Sequence, residues 1–101
     1  MTQPSTAARA LALGPEVTIP FAAATREQLL EALRGRGAGG DMVLDLSGVT
    51  DFDSAGVQLL LSARRSVLAR GAMLRLQAPS ASVRDALAVF GLGDAFAPGA
   101  A

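Results

Sequence analysis

The chain contains no cysteine, no histidine and no lysine, and its only aromatic residues are four phenylalanines. Each absence removes a class of chemistry. Without cysteine there is no disulfide, no thiolate nucleophile and no zinc–thiolate site. Without histidine the commonest general base and the commonest metal ligand are both missing. Without lysine there is no Schiff base and no phosphate-loop lysine. Four scattered phenylalanines give no platform for stacking nucleic-acid bases. Nine arginines balance nine acids, with no basic run of five or more, so no nucleic-acid partner is expected. No apolar stretch reaches the roughly 18 residues of a membrane span, so no direct membrane insertion is expected. The start MTQPSTAARALAL has neither a basic opening nor a long apolar core, so a cytoplasmic location is expected.

What remains is enough for one small domain. The chain has 101 residues, and half of them are hydrophobic. No internal repeat and no dividing linker is visible. Ala8–Leu13 and Glu16–Ile19, separated by Gly14-Pro15, read as an N-terminal antiparallel hairpin, with Pro20 ending its second strand. Thr25 and Gln28 have the spacing of a capping box, which predicts a helix over 26–35. The glycine-rich stretch Gly35–Gly40 then stops it. A phosphate-cradling loop follows a strand and opens a helix, whereas this stretch does the reverse.

Next comes the run Met42–Leu46, read as a central strand buried on both faces. Val49 and Phe52 anchor the loop after it. Asp53-Ser54-Ala55-Gly56 lead into a second helix over about 55–70, whose apolar face is Val57, Leu60, Leu61, Val67 and Leu68. Gly71 stops that helix. Met73–Gln77 alternates like a strand, and Pro79–Ser82 opens a third helix with a serine as its cap. Val83, Leu87 and Phe90 should face inward, Gly91 should end the helix, and a turn at Asp94–Phe96 should pack Phe96. The order β-β-α-β-α-β-α predicts an α/β fold. It should hold a mixed sheet of about four strands, with helices mainly on one face.

Ser54 thus sits where a loop feeds a helix N-terminus, an end that favours an anion such as phosphate. Two plain readings compete with a regulatory one: Ser54 is simply the cap of the helix, or Asp53 is. Asp53 could also orient the serine for a kinase. Asp45, Asp51 and Asp53 raise the question of a carboxylate metal site, but Asp45 lies inside the strand and no further acid is near, so no metal is assigned. Arg64, Arg65 and Arg70 could meet an acidic partner or a phospholipid head group, but read first as a solvated helix face.

Strand-VLDLSGVTDFDSAG-helix, then Gly71, a strand MLRLQAPS and a helix ending LAVFGL, resembles the STAS domain, the family of the anti-sigma factor antagonists. The resemblance spans about Glu16 to Phe96. It implies one STAS domain over 8–97, with a flexible N-terminus at 1–7 and a flexible tail at 98–101. Asp53-Ser54-Ala55-Gly56 matches the family's D-S-x-G motif, which places Ser54 on the serine that antagonists have phosphorylated by a cognate anti-sigma kinase. The resemblance therefore implies a non-enzymatic switch without cofactor. Its partner would be an anti-sigma factor, and phosphorylation of Ser54 would abolish binding. The contact residues expected on this reading are Asp51, Asp53, Ser54, Ala55, Gly56 and Gln58, with Leu59 added from its spacing about one turn after Ser54. Leu59, off the apolar face of its helix, is expected to be exposed beside the serine.

Two stretches differ from the antagonists. Pro20–Ala24 has neither acid nor glycine where antagonists carry Gly-Glu-Leu-Asp or similar, and Gln58–Leu61 replaces small residues. The form DSAGVQLLL equally resembles STAS subunits of phospholipid-trafficking ABC transporters and of chemotaxis or other signalling assemblies, which would dock without phosphorylation. A hydrolase built on Ser54 would lack a base to activate it. Self-association, as monomer or weak dimer, is left open.

Overall fold

The apolar run ahead of the serine becomes the middle strand of the molecule. A computed structural model of the chain describes residues 10–36, of Arg36 only the backbone, and residues 41–96. Among these residues five strands and three helices follow one another. They are β1 (Ala10–Ala12), β2 (Glu16–Val17), α1 (Ala22–Arg36), β3 (Met42–Asp45), β4 (Asp51–Phe52), α2 (Ser54–Ala69), β5 (Leu74–Gln77) and α3 (Ala81–Val89). Short 3-10 turns at Ile19–Phe21 and Asp94–Phe96 complete the path. The flexible segments expected at 1–7 and 98–101 lie outside the described residues.

β3 lies between β1 and β5, and β2 pairs separately with β4. All three ladders are parallel. The register puts Leu11, Leu44 and Leu76 in one row and Ala12, Asp45 and Gln77 in another. Side chains alternate across a sheet, so these rows face opposite ways. Met42 and Leu44 are wholly buried under the helices, whereas Ala12 and Gln77 are exposed. Burial of each large side chain on the covered face contributes about 1.5–3 kcal/mol. That core joins Leu29 and Leu33 of α1, Leu60, Ala63 and Val67 of α2, and Val83 and Leu87 of α3.

The α/β class and the single domain stand, but the N-terminal hairpin and the mixed sheet do not. β1 runs parallel to β3, and β2 runs parallel to β4. The reason is the demand of a buried central strand for partners on both edges. β1 meets that demand on one side: Leu13 N–H donates to the Asp45 carbonyl at 3.1 Å. The Pro15 carbonyl accepts from Thr50 and Asp51 instead of from its own neighbour strand. β4 escapes sequence reading because two residues show no alternation.

α1 begins at Ala22, four residues earlier than the capping box predicts. Pro20 opens the 3-10 turn, and the alanines 22–24 carry the helix on from it. Thr25 is therefore no cap. It lies within the helix, 5% exposed, the one buried polar residue among those described. α2 and α3 end as the glycines predict. Gly71 and Gly91 take positive φ (80° and 69°), and the amides after them reach back to Val67 and Leu87 carbonyls. Phe96 is buried as expected, but Phe90 is 52% exposed, because α3 ends at Val89 and Phe90 turns away from the core.

Candidate functional site

The loop from β3 to α2 is fixed before it reaches the serine. Ser47 donates to Asp45 Oδ1 twice, from its backbone amide at 3.0 Å and from its hydroxyl at 2.8 Å. These two bonds, the amide first, hold the Asp45 carboxyl below the usual aspartate range. Asp45 is thus engaged in its own turn. Val49 is buried beneath that turn, and the Thr50 carbonyl accepts from the Ser82 hydroxyl of α3 at 2.7 Å. Among the described residues no three His, Cys, Asp or Glu side chains gather to hold a metal ion.

Asp53 does the structural work at the start of α2. Its extended backbone (φ −125°, ψ −165°) makes it the N-cap, and its Oδ1 accepts from Ala55 N–H at 2.9 Å. Its Oδ2 accepts from Ile19 N–H at 3.2 Å. Its own amide donates to the Val17 carbonyl at 3.4 Å. One residue therefore joins the end of β2, the 3-10 turn and the first turn of α2.

Ser54 is left without that duty. It is the first residue of the helix, exposed, and among the described residues its hydroxyl makes no hydrogen bond. Of the two capping alternatives, Asp53 is the one the geometry selects. Gln58, one turn further on, is exposed on the same side of the helix, and Asp51 on β4 is exposed. Ala55 is half-buried.

Two of the candidate residues lie elsewhere. Gly56 is buried, and a methyl group there would sit 2.6 Å from the Phe52 ring. Its lack of a side chain lets α2 close over Phe52. Leu59 is half-buried and packs on the core, not exposed beside the serine. It lines a groove of about 150 Å³ between α1 and α2, with Arg26, Leu29, Leu33 and Ser62. The buried face of α2 runs through Gly56, Val57, Leu60, Ala63 and Val67 and centres away from Val57, which rotates Leu59 toward α1 and leaves Leu68 41% exposed. Arg70 is no free surface cation: it donates to the Leu33 carbonyl at 2.8 Å and ties α2 to α1.

Sequence reading missed Ile19 and Phe21. Both are well exposed, at 70% and 46%, on the turn that Asp53 holds against the start of α2. The signal was present as a proline directly ahead of an alanine run, the pattern of a helix start.

No helix among the described residues is long and apolar enough to cross a membrane. No curated protein matches the chain. A family model described as "Mlab, STAS domain" matches residues 1–98. With nearly its whole length matched, and with the parallel α/β architecture around an Asp-Ser-x-Gly helix start, the chain belongs to the STAS domain family.

Proposed function

We propose that this chain is a non-catalytic STAS signalling module that binds a protein partner through the start of α2, with Ser54 as its phosphorylation switch. STAS domains in general mediate protein–protein interaction. The observation that carries the reading is the division of labour between Asp53 and Ser54. The aspartate caps the helix, so the serine hydroxyl is exposed and, among the described residues, unused. A phosphate there would add roughly −1.5 to −2 charges at neutral pH. The helix N-terminus tolerates that charge within the fold. Asp51 and Asp53 beside it would make the patch strongly acidic, and a partner built to meet a neutral serine would face repulsion and desolvation. On this reading the partner is an anti-sigma factor with serine kinase activity, and the chain works in the cytoplasm.

A second reading is favoured by the Ile19–Phe21 turn. In it, the chain is a STAS subunit of a phospholipid-trafficking ABC transporter or of a chemotaxis or signalling assembly. An exposed apolar turn where antagonists carry acid suits docking that ignores phosphorylation. One experiment separates the two. Wild type, Ser54→Ala and Ser54→Asp are immobilised, and proteins from the source cell's lysate are captured and identified by mass spectrometry. The switch predicts a kinase-like regulator on the first two and not on the third. Capture of one transporter or assembly subunit by all three supports the second reading.

A further inference from the structure

α1 and α2 lie side by side, and each turns one stripe toward the other. From α1 come Arg26, Leu29, Leu30 and Leu33, and from α2 come Leu59, Ser62, Ala63 and Ser66. Both stripes follow the i, i+3, i+4, i+7 spacing of a single helix face. Leucines fill the α1 side, but α2 answers them with two serines and an alanine. The helices therefore enclose a groove of about 150 Å³ instead of a closed seam. Leu29, Leu33 and Ala63 are buried at its floor, whereas Arg26, Ser62 and Ser66 are exposed at its rim. That rim carries one charge. Glu31 pairs with Arg34 at 2.7 Å, and Glu27 also lends its field to Arg34. Arg26 makes no ion pair or hydrogen bond among the described residues, and the hydroxyls of Ser62 and Ser66 make none either.

We infer that this groove is a binding site for a small aliphatic carboxylate. Its chain lies along Leu29, Leu33 and Leu59, and its carboxylate meets the Arg26 guanidinium with the Ser62 hydroxyl beside it. The lining selects the occupant. One cation and two hydroxyl groups, with no acid among them, favour an anion. The flat fork of a guanidinium matches a carboxylate with two parallel hydrogen bonds, and one arginine balances its one charge. The room available sets the size. An apolar cavity of about this volume holds a benzene-sized group, so the chain is about six carbons long. A lipid with two long acyl chains does not fit. The site stands apart from Ser54 at the start of α2, and neither assignment depends on the other.

Methyl NMR of the whole chain tests this with three probes at constant ionic strength: hexanoate, hexanol and acetate. Hexanoate should give saturable shifts at the methyl groups of Leu29, Leu33 and Leu59. Acetate has the charge without the chain, and hexanol has the chain without the charge. Each should bind at least about fivefold more weakly than hexanoate. Arg26→Gln should weaken hexanoate by about fivefold and leave hexanol unchanged. Ser62→Phe places a ring over the groove and should abolish binding. Both variants should melt close to wild type, because both positions are exposed. Equal affinity for hexanoate and hexanol, or full hexanoate affinity in Arg26→Gln, overturns the carboxylate assignment. Equal affinity for acetate and hexanoate overturns the role of the leucines. Absence of saturable shifts with hexanoate overturns the site itself, even where a captured protein partner moves the same methyl groups.

Discussion

Two helices of this molecule begin at a serine, and the serines do different things. Ser80 stands one residue before α3. It has extended backbone (φ −69°, ψ 169°), is half-buried, and its hydroxyl oxygen accepts from Val83 N–H at 3.4 Å. Ser54 stands one residue later in its helix, is exposed, and has Asp53 in the capping position before it. A shift of a single residue turns a structural serine into an available one. The lesson concerns the whole motif: Asp-Ser at a helix start assigns the hydrogen-bonding duty to the carboxylate and leaves the hydroxyl for other chemistry.

The largest loss of stability should come from unseating α2. Gly56→Ala places a methyl group 2.6 Å from the Phe52 ring, which is itself packed on the core. Overpacking of this kind costs about 1–3 kcal/mol. In a domain of this size the melting temperature should fall by about 4–8 °C per kcal/mol. Gly56→Ala combined with Phe52→Leu should recover part of that loss, because the smaller side chain makes room.

Asp53→Ala comes next. It removes the cap of α2 and the acceptor for Ile19 N–H together. Loss of a cap costs about 0.5–2 kcal/mol. Chemical unfolding should place this variant toward the upper end of that range, and amide exchange should quicken at Ile19 as well as at Ala55.

The serine pair gives the sharpest contrast. Ser80→Ala should destabilise by about 0.5–1 kcal/mol, on the low side for a cap because its bond is long. Ser54→Ala should stay within about 0.5 kcal/mol of wild type. Unfolding curves of the two variants run side by side decide the matter. Equal losses would mean that Ser54 also has a structural role.

The smallest effect belongs to Asp45. Its carboxyl is held below the ordinary aspartate value by two Ser47 bonds. A depressed folded-state value means that the stabilisation is present above the unfolded value of about 3.9 and is lost as pH falls through the folded one. Carboxyl NMR titration should show Asp45 protonating below the ordinary aspartate value. Ser47→Ala should move it partway back up, since the hydroxyl bond goes and the amide bond stays.

Much of this was legible in the sequence because its signals are local. The run Met42–Leu46, the repeat through Leu60 and Val67, and the glycines 71 and 91 each announce their element without knowledge of the rest. What stayed hidden depends on pairing at a distance. β2 and β4 are two residues each, so only their ladder makes them strands. The apparent hairpin at Gly14-Pro15 dissolves because β3 requires a neighbour that no local pattern names. Thr25 has the spacing of a cap, yet Pro20 and three alanines start the helix before it. Leu59 looks exposed if Val57 centres the buried face, and half-buried once α1 covers its flank. At the site, Asp-Ser-x-Gly pointed to Ser54, but the bond between Asp53 and Ile19 spans 34 residues and has no sequence signature.

The central claim is that Ser54 controls docking while leaving the fold alone. Titration calorimetry of wild type, Ser54→Ala and Ser54→Asp with the captured partner, run beside their melting curves, tests it most directly. The account predicts three closely similar melting curves, equal affinity for wild type and Ser54→Ala, and loss of binding in Ser54→Asp. Undiminished binding by Ser54→Asp, or unfolding of Ser54→Ala at markedly lower temperature, would contradict it.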